Sequence, residues 1–260
     1  MGIRTDIGYT DSSANAVMGC DGCELWNPEK NVRKCYAGRQ TTVYTGRKGW
    51  PKSFESPELF IHRIQEACDW PDLTGKERPD KPWLNGYPRL IFFNDMSDTF
   101  TESLPRNWLL PYIKIMEDSP HIWQFITKRP SRMAHFFNED LGYVPDNFWL
   151  GTTVTSQDTA PRMKTLLDIT AKVHIISIEP MLGPIDLYFP ERRNVQVICG
   201  GESGPGTAPM NKSFAKSIRD QCEKAGAPFF FKQWGGRKKI NGIWGGNLLE
   251  GKQYHKMPEI

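Results

Sequence analysis

Short β-prone runs, each followed by a polar cluster and then a helical stretch, set the rhythm of the chain from about residue 88 onward. The runs fall at 89–93, 123–126, 148–150, 173–178, 195–199 and 228–231. Their spacing is that of one βα unit, about 30 residues. Leu90-Ile91-Phe92-Phe93 and Phe229-Phe230-Phe231 are apolar without interruption. Strands of a parallel sheet buried on both faces read this way, whereas one-sided antiparallel strands alternate. A further strand is expected near 14–18. The pattern predicts an α/β fold, a partial (βα)6-type unit or a βα barrel, in preference to a doubly wound sheet.

Helix boundaries are marked chemically. Asn211 caps a helix with Phe214, Ile218, Cys222 and Ala225 on its apolar face, and Gly226 stops it. Ser56-Pro57 opens another, with Leu59, Phe60, Ile64, Ala67 and Cys68 inward, and Pro161 starts a third carrying Met163, Leu166 and Leu167. Residues 69–88, rich in Pro, Asp and Lys, read as an irregular loop or insertion. The expected division is a barrel domain over 1–234 and a C-terminal extension, 235–260, with no core of its own.

Composition narrows the class. Apolar residues make up 38% and charged residues 24%, which argues for a folded domain with a sizeable core. A net charge of +3 permits an anionic partner without demanding one, and the longest basic run, Arg237-Lys238-Lys239, reads as a solvated turn. The first eleven residues lack the apolar region of a signal peptide, and no stretch approaches the roughly 20 apolar residues of a membrane span. The expected location is cytoplasmic (the host cytoplasm, if the chain is phage-encoded), where cysteines stay reduced and clustered ones serve as metal ligands.

The polar residues collect where a parallel βα fold builds its sites, at the carboxyl ends of the strands. The runs end successively in Asn94-Asp95-Met96-Ser97-Asp98, Thr127-Lys128-Arg129, Gly151-Thr152-Thr153, Glu179-Pro180, Gly200-Gly201-Glu202-Ser203 and Lys232-Gln233-Trp234. One such cluster is an ordinary loop start. Six at one topological position describe a site of carboxylates, hydroxyls and cations, where Gly200-Gly201 lets a ligand approach the backbone.

Cys20 and Cys23 form a C-x2-C pair that can share a metal centre, and a loop-like stretch lets Cys35 fold back beside them. Cys68, Cys199 and Cys222 fall on apolar helix faces or in a buried strand and read as core. Three ligands suit an open iron of a cubane cluster. Structural zinc wants a fourth ligand, for which His62, inside the Ser56 helix, is the nearest downstream histidine. Both readings stay open on the residues alone.

These residues and the later blocks resemble a phage and bacterial family of "three-Cys-motif", radical-SAM-like proteins. The resemblance rests on Gly19-Cys20-Asp21-Gly22-Cys23, Cys35-Tyr36-Ala37, Phe93-Asn94-Asp95-Met96-Ser97-Asp98 and Thr127-Lys128-Arg129-Pro130. It continues through Leu150-Gly151-Thr152-Thr153-Val154, Ile178-Glu179-Pro180-Met181-Leu182-Gly183-Pro184, Gly200-Gly201-Glu202-Ser203-Gly204 and Phe231-Lys232-Gln233-Trp234-Gly235, in order over nearly the whole chain. It implies a partial barrel, a [4Fe–4S] cluster on Cys20, Cys23 and Cys35, and reductive cleavage of S-adenosylmethionine (SAM) to a 5′-deoxyadenosyl radical with an external one-electron reductant. The chain departs from the usual C-x3-C-x2-C spacing, and its aromatic, Tyr36, follows the third cysteine instead of preceding it.

On that reading Asn94, Asp95 and Ser97 meet the SAM ammonium. Thr127 and Lys128, or the Thr152-Thr153 pair, face its carboxylate or ribose, and Glu179 accepts from ribose hydroxyls. Substrate sits near Glu202, Lys232, Gln233 and Trp234, with Glu202 and Lys232 as the catalytic pair and Trp234 stacking on a base. The phage setting implies a nucleobase in DNA, such as a hypermodified thymine undergoing an isomerase- or lyase-type radical reaction. The alternatives are a non-catalytic nucleic-acid-binding module stapled by zinc or iron–sulfur, and a radical SAM enzyme acting on a small metabolite or a protein.

Overall fold

All six β-prone runs become strands, and a seventh joins them. The computed structural model describes residues 2–190, 194–204, 207 and 209–260. The main sheet comprises β1 (Ser12–Ala14), β2 (Leu90–Phe93), β3 (Ile122–Thr127), β4 (Phe148–Thr153), β5 (Val173–Ile178), β6 (Val195–Gly200) and β7 (Phe229–Gln233). Spatial order equals chain order, and every neighbouring pair is parallel. A sheet that advances one strand per crossover winds as a barrel does. Because β1 and β7 stand at the two ends, it is an open half-barrel.

The unbroken apolar runs are explained by burial on two sides. Ile91, Phe93, Trp123, Phe125, Phe148, Leu150, Ile176 and Phe231 join the core beneath the helices. The alternating residues Leu90, Ile122, Trp149, Ile175, Ile198 and Phe230 fill the concave side around Tyr9. The outer layer consists of α2 (His62–Cys68), α3 (Leu110–Asp118), α4 (Pro130–His135), α5 (Pro161–Leu167) and α6 (Lys212–Ala225), while α1 (Tyr36–Tyr44) packs with the cysteine loop. Helix α6 starts and stops as its signals predict: the Asn211 side chain accepts from the Ser213 N–H, and Gly226 closes it in the left-handed conformation.

Several expectations need correction. The helix expected from Ser56-Pro57 begins later, at His62, because Glu58 and Leu59 pair antiparallel with Met18 and Val17. That same pairing takes 17–18 out of the first strand, which lies at Ser12–Ala14 instead. The buried face of α6 is Ala215, Ile218 and Cys222, and Ala225 is exposed in the last turn. Among the described residues no helix separates β5 from β6, so the βα rhythm breaks once. Segment 69–88 is irregular, as expected, yet it is built in. Leu84 is fully buried there, and the Arg78 guanidinium meets Asp11 with both side chains 8% exposed. Lys81 donates to the carbonyls of Thr5, Ile7 and Thr10 at 2.6–2.8 Å.

An open sheet leaves two edges unpaired, and the terminal segments cover both. Gly2 and Ser13 exchange backbone hydrogen bonds beside β1. At the other edge the Tyr254 carbonyl accepts from the Phe231 N–H, and the Lys256 N–H donates to the Phe229 carbonyl, both on β7. The 235–260 segment therefore packs on the barrel and contributes Leu249 and Met257 to its two cores. No helix is long and apolar enough to cross a membrane among the described residues.

Two stability tests follow from these anchors. Arg78→Ala would leave Asp11 buried and unpaired, costing about 3–5 kcal/mol in urea unfolding; a loss below about 1 kcal/mol would show that the pair contributes little. Hydrogen bonds from Lys216 and Arg219 hold the Glu250 carboxyl down to about 2 from an ordinary 4.5. Since it titrates lower folded than unfolded, this anchoring is complete above about 4.5 and disappears as pH falls toward about 2. Proteolysis of the C-terminal segment should accelerate across that window in the native chain, and Glu250→Gln should flatten the dependence.

Candidate functional site

The cysteine loop lies across the carboxyl ends of the strands, held there by charged contacts from three of them. Gly19 bridges to Ser97 beyond β2. Asp21 accepts from the Thr101 hydroxyl and from the N–H groups of Glu102 and Ser103; burial pushes its carboxyl up, but these bonds outweigh it and hold it low. Arg129, beyond β3, donates to the Gly22 carbonyl at 2.9 Å, to Asp98 at 3.0 Å and to Cys20 Sγ at 3.6 Å. Glu24 takes a two-pronged contact from Arg162 at 2.8 and 2.9 Å and a bond from Thr155 beyond β4. Burial pushes the Glu24 carboxyl up, but Arg162 outweighs it and holds it at about 2.

The Leu25 N–H donates to Cys23 Sγ at 3.4 Å, and the backbone at Gly22, and at Gly38 and Ala37, lowers the thiols of Cys20 and Cys35. Burial pushes all three thiols up. Asp98 adds to the rise at Cys20 while Arg129 opposes it, and Lys128 opposes it at Cys23 and Cys35. Burial pushes Lys128 down in turn, but Cys23, Cys35, Glu24 and Asp98 outweigh it. The three sulfurs lie close enough to feel one another's charge, with two cations alongside. Such a donor set suits thiolate ligation, since the donors and cations stabilise negative sulfur.

Among the described residues, no three Cys, His, Asp or Glu side chains are placed to hold a metal ion. His62 stays in α2 and does not complete such a group.

Beside the loop opens a cleft of about 350 Å³, lined by Asn15, Met18, Tyr36, Lys48, Trp50 and Asp95 among others. Asn15 orders its wall, donating to Asp95 at 2.6 Å and accepting from the Met96 N–H at 2.9 Å. Burial pushes the Asp95 carboxyl up, against hydrogen bonds from Asn15 and Ser13 and the charge of Lys232. Tyr36, half exposed, is pushed up to about 12 by burial and by Asp95. Deeper in the bore Lys232 pairs with Glu179, and its ammonium stands 5.7 Å from the ring centre of buried Tyr9.

The structure thus joins Asp95, Glu179 and Lys232 around one bore and separates other expected contacts from it. Asn94 sits at φ 63° with its side chain bonded to the Val17 N–H and the Thr99 hydroxyl, so it shapes the turn and does not face a ligand. The Ser97 hydroxyl donates to the Val17 carbonyl, Thr127 to Asp98, and Thr152 to the Thr127 carbonyl. Thr153, by contrast, alternates onto the concave side of β4 with Trp149 and so faces the bore. Lys128 faces the cysteines.

The residues of the expected substrate group are spread apart. Glu202 meets Arg39 of α1 at 3.9 Å and has no contact with Lys232. Gln233 is buried, donating to the Gly201 carbonyl. Trp234 bonds the Leu248 carbonyl and packs on Phe231 at 4.7 Å, with part of its ring in the core. A Cβ on Gly201 would lie 2.1 Å from the Trp234 carbonyl, so the chain's own backbone needs the space reserved for a ligand. Sequence reasoning missed Asp98, Arg129, Glu24 and Arg162 as the residues that fix the loop. Asp98 and Arg129 stood in the strand-end clusters, whereas Tyr9 and Asn15 carried no signal.

An open parallel α/β half-barrel with a three-cysteine loop over its carboxyl edge is the class of protein that fold and site define. Over residues 4–258 the chain matches the family described as "Protein of unknown function (DUF5131)", and it belongs to that family. Neither the curated proteins nor the solved structures contain a match to it.

Arg129 gives the loop a direct test. Arg129→Gln removes donors to Gly22, Asp98 and Cys20 together, so Cys20, 7% exposed in the native fold, should react with a thiol reagent about tenfold faster. An unchanged rate would show that the loop is held by its other anchors.

Proposed function

We propose that this protein is a radical SAM iron–sulfur enzyme, of the kind its three-cysteine resemblance implies, with Cys20, Cys23 and Cys35 as the ligands of a [4Fe–4S] cluster. The observation that carries this reading is the thiol group itself. Cys23 accepts the Leu25 N–H and Cys20 the Arg129 guanidinium, Lys128 stands beside Cys23 and Cys35, and the group lies next to a cleft containing a buried carboxylate. A bound cluster would supply the electron that cleaves SAM to a 5′-deoxyadenosyl radical.

The chain's own groups have separate tasks on this reading. Lys128 and Arg129 offset thiolate charge, and the backbone donors hold the sulfurs in place. Asp95, positioned by Asn15 and Ser13, takes the SAM ammonium, with Tyr36 as the neighbouring aromatic. The Glu179–Lys232 pair sits deeper in the bore, where Lys232 can hold or deliver a proton. Phe230 and Trp149 fill the bore below and exclude water. The substrate we assign is a nucleobase in DNA, converted by an isomerase- or lyase-type reaction, with reductant supplied from outside. All six cysteines are free thiols, in keeping with the cytoplasm as its compartment.

Protein purified without oxygen, reconstituted with iron and sulfide, reduced and given SAM should release 5′-deoxyadenosine, and Cys20→Ala, Cys23→Ala or Cys35→Ala should each abolish it. Stoichiometric zinc in the native protein with no 5′-deoxyadenosine, or full turnover by the Cys23 variant, would overturn the reading.

A further inference from the structure

The charge of the chain is unevenly distributed. Between Lys30 and Lys52 stand seven lysines and arginines and no aspartate or glutamate. An even spread of the chain's 33 cations would put about three in that stretch. The net charge is only +3, so the rest of the chain is net acidic. Lys30, Arg33 and Lys34 precede the third cysteine, Arg39 lies on α1, and Arg47, Lys48 and Lys52 follow it, with Lys48 lining the cleft.

The local structure leaves these cations available. Lys30, Arg33, Lys34, Arg47, Lys48 and Lys52 are exposed. Among the described residues Arg39 alone of the seven pairs with a carboxylate, Glu202 at 3.9 Å. Aromatic rings are interleaved with the charge: Arg33 stands 5.8 Å from the centre of Trp26 and Arg47 4.9 Å from that of Tyr44. Tyr36 is 51% exposed within the belt, and both Tyr36 and Lys48 line the cleft that holds Asp95. A solvated helix face normally mixes both signs of charge and pairs them. An unpaired, single-sign belt with an exposed ring at its centre suits a backbone of regularly spaced phosphates whose bases can stack.

We infer that the belt from Lys30 to Lys52 is a docking surface for single-stranded DNA, its cations tracking the phosphates while Tyr36 stacks on a base at the edge of the cleft. The inference rests on the preceding reading only for the choice of DNA over RNA. The contact itself uses neither cluster nor SAM. A base presented at Tyr36 is already unpaired, which removes the unstacking cost that chemistry on a duplex base incurs.

The test is fluorescence anisotropy of a labelled 20-nucleotide single strand against the whole protein at several salt concentrations. Neutralising about six phosphates gives a log–log salt slope near −4, a loss of roughly two to three orders of magnitude in affinity between 50 and 200 mM salt. Charge reversal at Arg33, Lys34, Arg47 and Lys48 together should weaken binding at least about tenfold and flatten the slope. An equal reversal on the exposed Lys76, Lys164, Lys172 and Lys224 serves as the control, and circular dichroism confirms that both variants fold. Tyr36→Ala should weaken binding with the slope unchanged. Equal losses in both reversed proteins, a slope near zero, or tighter binding to the matching duplex would overturn the inference. The Cys20→Ala, Cys23→Ala, Cys35→Ala triple variant separates the two proposals: strand binding retained without 5′-deoxyadenosine formation supports the belt independently of the cluster. Strand binding lost in a folded triple variant would overturn the belt as a cluster-independent surface.

Discussion

One buried carboxylate holds the site to the barrel. Asp98 accepts from the Thr127 hydroxyl, the Lys128 and Phe100 N–H groups and the Arg129 guanidinium, so the ends of β2 and β3 share a single acceptor. Arg129 carries that connection on to Gly22 and Cys20. A loop with only two-residue strands of its own cannot fix three sulfurs by itself, because ordering each residue costs about 1–2 kcal/mol of backbone entropy. The fold supplies that rigidity through charge-assisted bonds whose partners are mostly buried. The same bonds place Lys128 among the thiols, away from the cleft.

The sheet was legible in the sequence because its signal is local. Strands buried on both faces tend to be apolar throughout, and Leu90–Phe93 is the clearest such run. Helix α6 was legible for a similar reason, since Asn211 and Gly226 act within one turn of their own positions. The displaced α2 was not, because the pairing of Val17 with Leu59 joins residues far apart in the chain and leaves no mark on either. The break between β5 and β6 likewise concerns what the connection does in space.

At the site, residue type predicted location better than role. The strand-end clusters do gather on one rim, and Asp95, Glu179 and Lys232 do converge. Asn94, Thr127 and Thr152 were expected to meet a cofactor and instead satisfy backbone and side-chain groups a few ångströms away. Short polar side chains at strand ends serve both purposes equally well, and only the partner distinguishes them. Gly201 makes the same point sterically: a bare backbone was needed, but for Trp234. The belt of cations escaped a search for consecutive charges because its members are spaced through the segments on either side of α1.

The two terminal segments have a consequence for how the molecule fails. A half-barrel differs from a closed one in offering, at each end, a full row of unpaired N–H and C=O groups flanked by apolar side chains. Here strips only a few residues long, at Gly2 and from Tyr254 to Lys256, stand between those rows and a second copy of the protein. Fraying of either strip would leave the barrel core intact yet turn its edge into a template for strand addition. The weak point of this fold is therefore self-association through a peeled edge, reached well before the sheet itself comes apart.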